Sequence, residues 1–238
     1  IGFFQSLYWE KKCNPDIVVG FGGYTSFPVL LASLILGKKF IIHEQNAVVG
    51  RVNKIFAKKA TAIATSFMHT LGVPKNVQGV LCGNPVRKNI ADNYNRKYKA
   101  PSTKGEINLL VSGGSQGATI LDRNVPAAIR LLKKDLKNRL VITEQARPEN
   151  VGMVKKIYEK SGVKKVSVSN FFKDMEKYLE TAHFYIGRSG ASVAEIAISG
   201  IPALYVPIGF HKDKHQYYNA KNFEDKEAAI IVEQKNLS

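Results

Sequence analysis

The chain is short of cysteine, of acidic side chains and of long apolar runs, and each shortage removes a class of protein. Only Cys13 and Cys82 are present among 238 residues. Two distant thiols make neither a disulfide framework nor a set of metal ligands, and they suit a reducing compartment. The longest apolar stretch, Phe27 to Gly37, is cut off by Lys38 and Lys39. It falls well below the roughly 20 residues that span a bilayer. The opening Ile1-Gly2-Phe3-Phe4 carries neither an initiator Met nor the basic region of a signal peptide, so the chain reads as beginning in mid-domain. No repeat of fixed period and no low-complexity tract occurs.

Acidic residues are outnumbered, 19 against 35 Lys and Arg, for a formal charge of +16. The excess is uneven: residues 1–100 hold 14 Lys/Arg against 4 Asp/Glu. Such a field attracts polyanions or an anionic membrane surface, and charge alone does not choose between them. No helix-turn-helix, KH or RRM pattern and no basic helix with base-reading residues is present, so a nucleic-acid partner is not expected.

What is present is the profile of a folded α/β protein, 45% hydrophobic and 23% charged. Apolar β-branched runs predict strands at Ile17–Phe21, Phe40–His43, Thr61–Ala64 and Val80–Cys82. Helical patterns fall between them at Pro28–Leu36, opened by proline, and at Val49–Ala60. A second series predicts strands at Ile107–Ser112, Leu140–Thr143, Lys165–Val168, Phe184–Ile186, Ala203–Val206 and Ala229–Val232. Its helices are expected near Ala118–Lys134, Glu149–Ser161, Met175–Glu180, Ser192–Ser199 and Lys214–Phe223. Strand–helix alternation builds parallel sheets covered on both faces. The polar, basic stretch from Asn89 to Gly105 breaks the alternation. It places a linker at 95–105 between an N-terminal domain, 1–94, and a C-terminal one, 106–238.

Three glycine-bearing turns stand at strand ends. Gly113-Gly114-Ser115-Gln116-Gly117-Ala118 joins a strand to a helix, where close backbone approach, exposed N–H groups and the helix dipole favour an anion. The spacing is neither a Walker A loop nor a dinucleotide fingerprint, so phosphate binding of a general kind is what it supports, beside a plain βα turn. Arg188-Ser189-Gly190-Ala191-Ser192 follows another strand, with Glu195 on the helix behind it. A carboxylate there suits a vicinal diol or caps the helix. Gly22-Gly23-Tyr24 follows the first strand, and His43-Glu44-Gln45-Asn46 ends the second. Ligands gather at the carboxyl ends of strands in open α/β sheets, so these turns point to one cleft. The polar run His211 to Asn219 has no second cluster to complete a metal site, and none is expected. No nucleophile elbow or Cys–His pair appears. A group transfer from a nucleotide needs neither, only a stabilised leaving group and a deprotonated acceptor.

Taken in order, these motifs, with Gly50 and Asn53, Gly83-Asn84-Pro85-Val86-Arg87, and His215-Gln216 with Asn219-Ala220, resemble the MurG family. These are the UDP-N-acetylglucosamine–N-acetylmuramyl-(pentapeptide) pyrophosphoryl-undecaprenol N-acetylglucosamine transferases. The resemblance runs along essentially the whole chain. It implies a GT-B architecture, two Rossmann-like doubly wound parallel-sheet domains facing a cleft, with the N-terminal one incomplete. It implies an inverting glycosyltransferase of peptidoglycan synthesis that moves N-acetylglucosamine (GlcNAc) from UDP-GlcNAc to an undecaprenyl-linked lipid acceptor. The donor side would comprise Arg87, Ser115 and Gln116 at the diphosphate and Phe172 at the uracil edge. Glu195 would hold the ribose, and Ala191, Ser192, His215 and Gln216 the sugar and phosphate. Gly22, Gly23, Gln45, Asn46 and Asn53 would line the acceptor side, with Tyr24, His43 and Glu44 the catalytic candidates and Glu44 assisting proton removal. No cofactor is required, and dependence on a divalent cation is left open.

Two departures accompany the resemblance. Phe27 stands where the family has a glycine beside the acceptor pocket. The family's Gly-Gly-Thr-Gly-Gly-His loop, with the histidine usually proposed as base, is absent, and the last helices of the family lie beyond Ser238. The chain by itself is therefore expected to be inactive or nearly so. Ile1, Phe4, Leu7 and Tyr8 fall on one helical face, flanked by Phe3 and Trp9 and ended by Lys11 and Lys12. That pattern fits either a core helix or one dipped into an anionic membrane surface. The membrane reading would place the protein peripherally on the cytoplasmic face of the bacterial inner membrane. Competing readings are another GT-B UDP-sugar transferase or epimerase, and a non-catalytic nucleotide-binding module.

Overall fold

The computed structural model describes residues 1–92, 94, 96–114, 117–209 and 213–237. The chain divides into two compact units, Ile1–Pro85 and Val86–Ser238. In the first, helix α1 (Gly2–Cys13) precedes β1 (Val18–Gly20), α2 (Gly23–Ile35), β2 (Phe40–Glu44), α3 (Arg51–Phe56), β3 (Ala62–Thr65) and β4 (Gly79–Leu81). The four strands pair in parallel in chain order, β1-β2-β3-β4. Leu30 of α2 and Val52 and Phe56 of α3 pack on Phe40, Ile42 and Ile63, all buried.

Helix α2 starts five residues ahead of its expected proline start, and Pro28 lies inside it. The reason is local. Pro28 lacks only the N–H that would reach the Tyr24 carbonyl, one bond of a 13-residue helix. The early turn is also steadied by Ser26 Oγ, which donates to the Gly22 carbonyl at 2.7 Å. Phe27, which stands where the family has a glycine, packs edge-on against Phe56 with ring centroids 5.4 Å apart.

Helix α1 docks on α2 through a polar contact. Its buried residue is Glu10, whose Oε2 accepts a bond from Ser33 Oγ at 2.9 Å. Burial raises the Glu10 pKa above the ordinary carboxylate range.

The second unit holds α4 (Lys88–Ala91), β5 (Ile107–Ser112), α5 (Thr119–Leu131), α6 (Lys134–Lys137), β6 (Leu140–Gln145) and α7 (Val151–Glu159). It continues with β7 (Lys165–Ser169), α8 (Met175–Thr181), β8 (Phe184–Gly187), α9 (Val193–Ile198), β9 (Ala203–Tyr205), α10 (His215–Glu224) and β10 (Ala229–Ile231). Six parallel strands pair in the order β10-β9-β8-β5-β6-β7. Read from β7, that is 3-2-1-4-5-6, the doubly wound dinucleotide-fold order, which reverses between β5 and β8. The core lies between this sheet and helices α5 and α7, around Leu109, Val111, Leu121, Val125, Ile142, Val154 and Tyr158.

The stretch expected as a linker belongs to this unit. Tyr98 Oη donates to the His183 carbonyl at 3.0 Å, and the Ser102 carbonyl accepts from Arg139 Nη2 at 2.7 Å. The short helices α4 and α6 were not legible, since four residues carry no periodicity to read.

Candidate functional site

In the second unit the chain reverses its winding between β5 and β8, the point at which open α/β sheets form a crevice outside the carboxyl ends of their strands. The Gly113 turn leaves β5, and the Arg188 turn leaves β8. The two are tied together by Arg188 N–H donating to the Ser112 carbonyl at 3.3 Å. At Gly113 a side chain is excluded, because a Cβ would stand 2.2 Å from the Ala118 nitrogen. The turn therefore folds tightly back to deliver Ala118, the N-cap of α5, whose capping position has no side-chain hydrogen bond. Among the described residues no side chain caps the first-turn N–H groups of this 13-residue helix, which starts at the carboxyl end of β5. Ser115 and Gln116, expected at the diphosphate, lie outside the described residues.

Ser112 links this turn to its neighbours. Its Oγ donates to Gln145 Oε1 at 3.3 Å and accepts from Gly114 N–H at 3.2 Å. Gln145 Nε2 in turn reaches the Asn170 carbonyl at 3.3 Å. Phe172 follows on that side, its ring 4.8 Å from Tyr178 and its backbone groups without a hydrogen bond among the described residues.

On the other side of the crevice, Glu195 in the first turn of α9 accepts from Arg87 Nε through Oε1 at 3.2 Å. Oε2 has no hydrogen bond among the described residues, which leaves an acceptor open. Helix α9 is only six residues long, so its dipole is small and α5 is the better anion seat. Gln216 is oriented by its own side-chain oxygen, which accepts from Ile208 N–H at 3.1 Å. That bond fixes the amide and turns Nε2, a donor, toward Gly190. His215 sits beside it with Nδ1 2.8 Å from Asp213 Oδ1. Ala191 is exposed and Ser192 half-buried at the start of α9.

Ser112 was not singled out from sequence, and Arg188 was named only as part of its turn, with no role of its own. Arg188 is buried, and Ser112 is the hydrogen-bonding hub. Only a charged residue directly after an apolar strand signalled the first.

In the first unit His43, Glu44, Gln45, Asn46 and Asn53 come together at the end of β2. Glu44 is 1% exposed. Its Oε1 accepts from the Asn46 backbone at 3.0 Å and from Asn46 Nδ2 at 3.3 Å. Its Oε2 accepts from Gly50 N–H and Asn53 Nδ2, both at 2.8 Å. A carboxylate enclosed by four donors can take a proton only by breaking one of those bonds, so this geometry disfavours proton removal by Glu44.

His43 Nε2 lies 3.0 Å from the Gly83 carbonyl, and Nδ1 lies 3.3 Å from Gln45 Nε2. These partners assign the neutral tautomer with hydrogen on Nε2 and leave neither nitrogen open. Gln45 Nε2 also donates to the Phe21 carbonyl at 2.9 Å. Asn53 is buried, its Nδ2 committed to Glu44 and to the His43 carbonyl, its Oδ1 without a partner among the described residues. Gly22, at φ 77°, sits against this amide, where a Cβ would stand 3.1 Å from Asn53 Nδ2. Gly23 follows, and Tyr24 projects with 87% exposure. Of the three catalytic candidates, Tyr24 is open to a ligand, and His43 and Glu44 are held within the fold.

The outward face of α1 carries Ile1, Phe4, Tyr8 and Trp9, all exposed. Lys12 Nζ lies 5.0 Å from the Trp9 ring and 5.7 Å from that of Tyr8, and Lys11 is exposed beside it. Leu7 is half-buried. Among the described residues no helix is long and apolar enough to cross a membrane, and no group of three His, Cys, Asp or Glu side chains is placed to hold a metal.

Residues 108–238 match the Glycosyltransferase family 28 C-terminal domain, and residues 1–65 match the Glycosyltransferase family 28 N-terminal domain. Two curated relatives carry the name UDP-N-acetylglucosamine--N-acetylmuramyl-(pentapeptide) pyrophosphoryl-undecaprenol N-acetylglucosamine transferase. The one from Wolbachia pipientis subsp. Culex pipiens is 42% identical over 97% of this chain and 66% of its own length. The one from Chelativorans sp. is 44% identical over 100% of this chain and 63% of its own length. The chain thus spans just under two thirds of the relatives it matches. The crystal structure of Acinetobacter baumannii MurG aligns with a TM-score of 0.80 at 31% identity, covering 99% of this chain and 66% of that one.

Proposed function

The chain belongs to glycosyltransferase family 28, and on that premise we propose that it provides UDP-GlcNAc recognition in an inverting transferase of peptidoglycan synthesis. The acceptor is undecaprenyl-pyrophosphoryl-MurNAc-pentapeptide. The observation that carries the reading is the crevice at the β5/β8 reversal. It has on one side a 13-residue helix with no side-chain cap among the described residues and, on the other, a carboxylate acceptor with an oriented amide donor.

In the reaction an acceptor hydroxyl oxygen forms a bond to the anomeric carbon of the sugar. The bond from that carbon to the diphosphate oxygen breaks, and UDP leaves with the electron pair. The hydroxyl proton passes to a base. The α5 N-terminus and the Gly113 turn, with Ser115 and Gln116, would stabilise the charge growing on the leaving diphosphate. Glu195 Oε2 would accept from a ribose hydroxyl, with Arg87 holding the other oxygen. The Phe172 backbone would meet the uracil edge. Gln216 Nε2 would donate to a sugar oxygen, beside His215 and the Ala191–Ser192 backbone. In the first unit, Tyr24 would face the acceptor across the Gly22-Gly23 turn. Glu44 and Asn53 would hold that turn against the 43–50 loop, and His43 and Gln45 would brace it to Phe21 and Gly83.

The exposed aromatic face of α1, edged by Lys11 and Lys12, would rest on an anionic membrane, giving a peripheral location on its cytoplasmic face. A calorimetric titration tests the donor reading. UDP should bind the wild-type chain and lose about tenfold in affinity in Glu195→Ala, the loss of one or two hydrogen bonds to a charged group. With 2′,3′-dideoxy-UDP the variant should match the wild type. An equal loss with both nucleotides would show that Glu195 does not read the ribose.

A further inference from the structure

Arg188 is 8% exposed, and among the described residues no carboxylate lies within 4.0 Å of its guanidinium. Burial lowers its pKa, the direction expected when a cation loses water without gaining an anion. Its partners are neutral. Nη1 donates to the Val206 carbonyl at 2.7 Å, and Nη2 donates to Gln234 Oε1 at 2.9 Å. Val206 lies just after β9, and Gln234 lies in the turn after β10. One side chain from the end of β8 therefore joins the loops that leave three neighbouring strands. Ser189, fully buried, extends the tie: its Oγ donates to the Gln216 carbonyl at 2.8 Å, and its own carbonyl accepts from Asn219 Nδ2 at 3.0 Å. Two residues beyond Val206, Ile208 N–H orients the Gln216 amide.

We infer that Arg188 is a positioning residue for the sugar end of the donor site. It sets the spacing between the Ser189–Ser192 turn, the Val206–Ile208 loop and the turn at Gln234, and through Ile208 it sets the direction of Gln216 Nε2. This inference rests on the donor reading and deepens it, because it separates residues that hold the sugar from those that hold the nucleotide. The ribose and uracil contacts assigned above, Glu195 and Phe172, stand on other elements and share no hydrogen bond or ion pair with the Arg188 side chain among the described residues. A planar guanidinium can serve two acceptors in different loops at once. A lysine ammonium in its place keeps the charge and loses the fork.

The experiment is a pair of calorimetric titrations, with UDP and with UDP-GlcNAc, on the wild-type chain, Arg188→Lys and Gln234→Ala, each checked by thermal melting. Arg188→Lys should bind UDP within about twofold of wild type and bind UDP-GlcNAc about tenfold more weakly, the loss of one charged hydrogen bond's worth of order. Gln234→Ala, which cuts one arm of the fork, should fall between. Equal loss of both ligands, or no loss of either, overturns the inference and leaves the donor reading standing. Should the wild type bind neither ligand, the donor reading fails and this inference falls with it.

Discussion

The second unit buries an acid where its charge is costly, and the consequence can be measured. Glu144 of β6 is fully buried, and Tyr158 Oη donates to its Oε2. Its Oε1 has no partner among the described residues, and buried Asp122 stands nearby, adding like-charge repulsion to the desolvation. Burial pushes the Glu144 pKa from an ordinary 4.5 up to about 8. Between those values the unfolded chain has released a proton that the folded chain keeps. The folded pKa is raised, so the stability is fully present below the lower value and is lost as pH rises through the higher one. The slope is about 1.4 kcal/mol per pH unit, so between pH 5.5 and 7.0 the loss is about 2 kcal/mol. Glu144→Gln keeps an acceptor for Tyr158 but cannot titrate. The unpaired NH2 it introduces costs about 1–3 kcal/mol at every pH, and this cancels in the comparison.

The assay is urea unfolding of both proteins at pH 5.5, 6.25 and 7.0, followed by circular dichroism. The one tryptophan, Trp9, lies in the first unit, so its fluorescence provides an internal control that should not distinguish the two proteins. The wild type should lose about 2 kcal/mol relative to the variant across this range. Parallel pH profiles would refute the reasoning, because Glu144 would then be ionised in the fold.

Other outcomes follow from the same geometry. Glu44→Gln turns an amide NH2 toward existing donors and should destabilise the first unit by about 2–3 kcal/mol, read from Trp9 fluorescence in urea; an unchanged midpoint would mean that the four bonds contribute nothing. Gly113→Ala should reduce UDP affinity more than tenfold by displacing Ala118, with titration as the check. Lys11→Ala with Lys12→Ala should weaken binding to vesicles containing anionic lipid by about 2 kcal/mol, and Phe4→Asp should weaken it further. Vesicle binding indifferent to anionic lipid would remove the membrane reading.

Most of the strand framework was legible because parallel strands are continuous apolar runs, as at Ile107–Ser112, observed with the expected bounds. The proline start of α2 misled, since a proline also tolerates the second turn when serine and glycine settle the first. The turns of the candidate site were legible as glycines at strand ends. Their partners were not. Nothing in the order His43-Glu44-Gln45-Asn46 says that Glu44 faces inward to four donors, because those donors come from three residues two to nine positions on. Arg188 was read as part of its turn, but its bracing role was not legible for a related reason. Its acceptors, Val206 and Gln234, are 18 and 46 residues away, and only the fold brings them to it.

The central claim is that the β5/β8 crevice selects a uridine-diphosphate sugar. Its most direct test is competitive binding of UDP-GlcNAc, GDP-mannose and duplex DNA to the wild-type chain at physiological salt. The account predicts saturable binding of UDP-GlcNAc, displaced by UDP and indifferent to the other two. Binding of DNA that falls steeply with salt while UDP-GlcNAc stays unbound would contradict it.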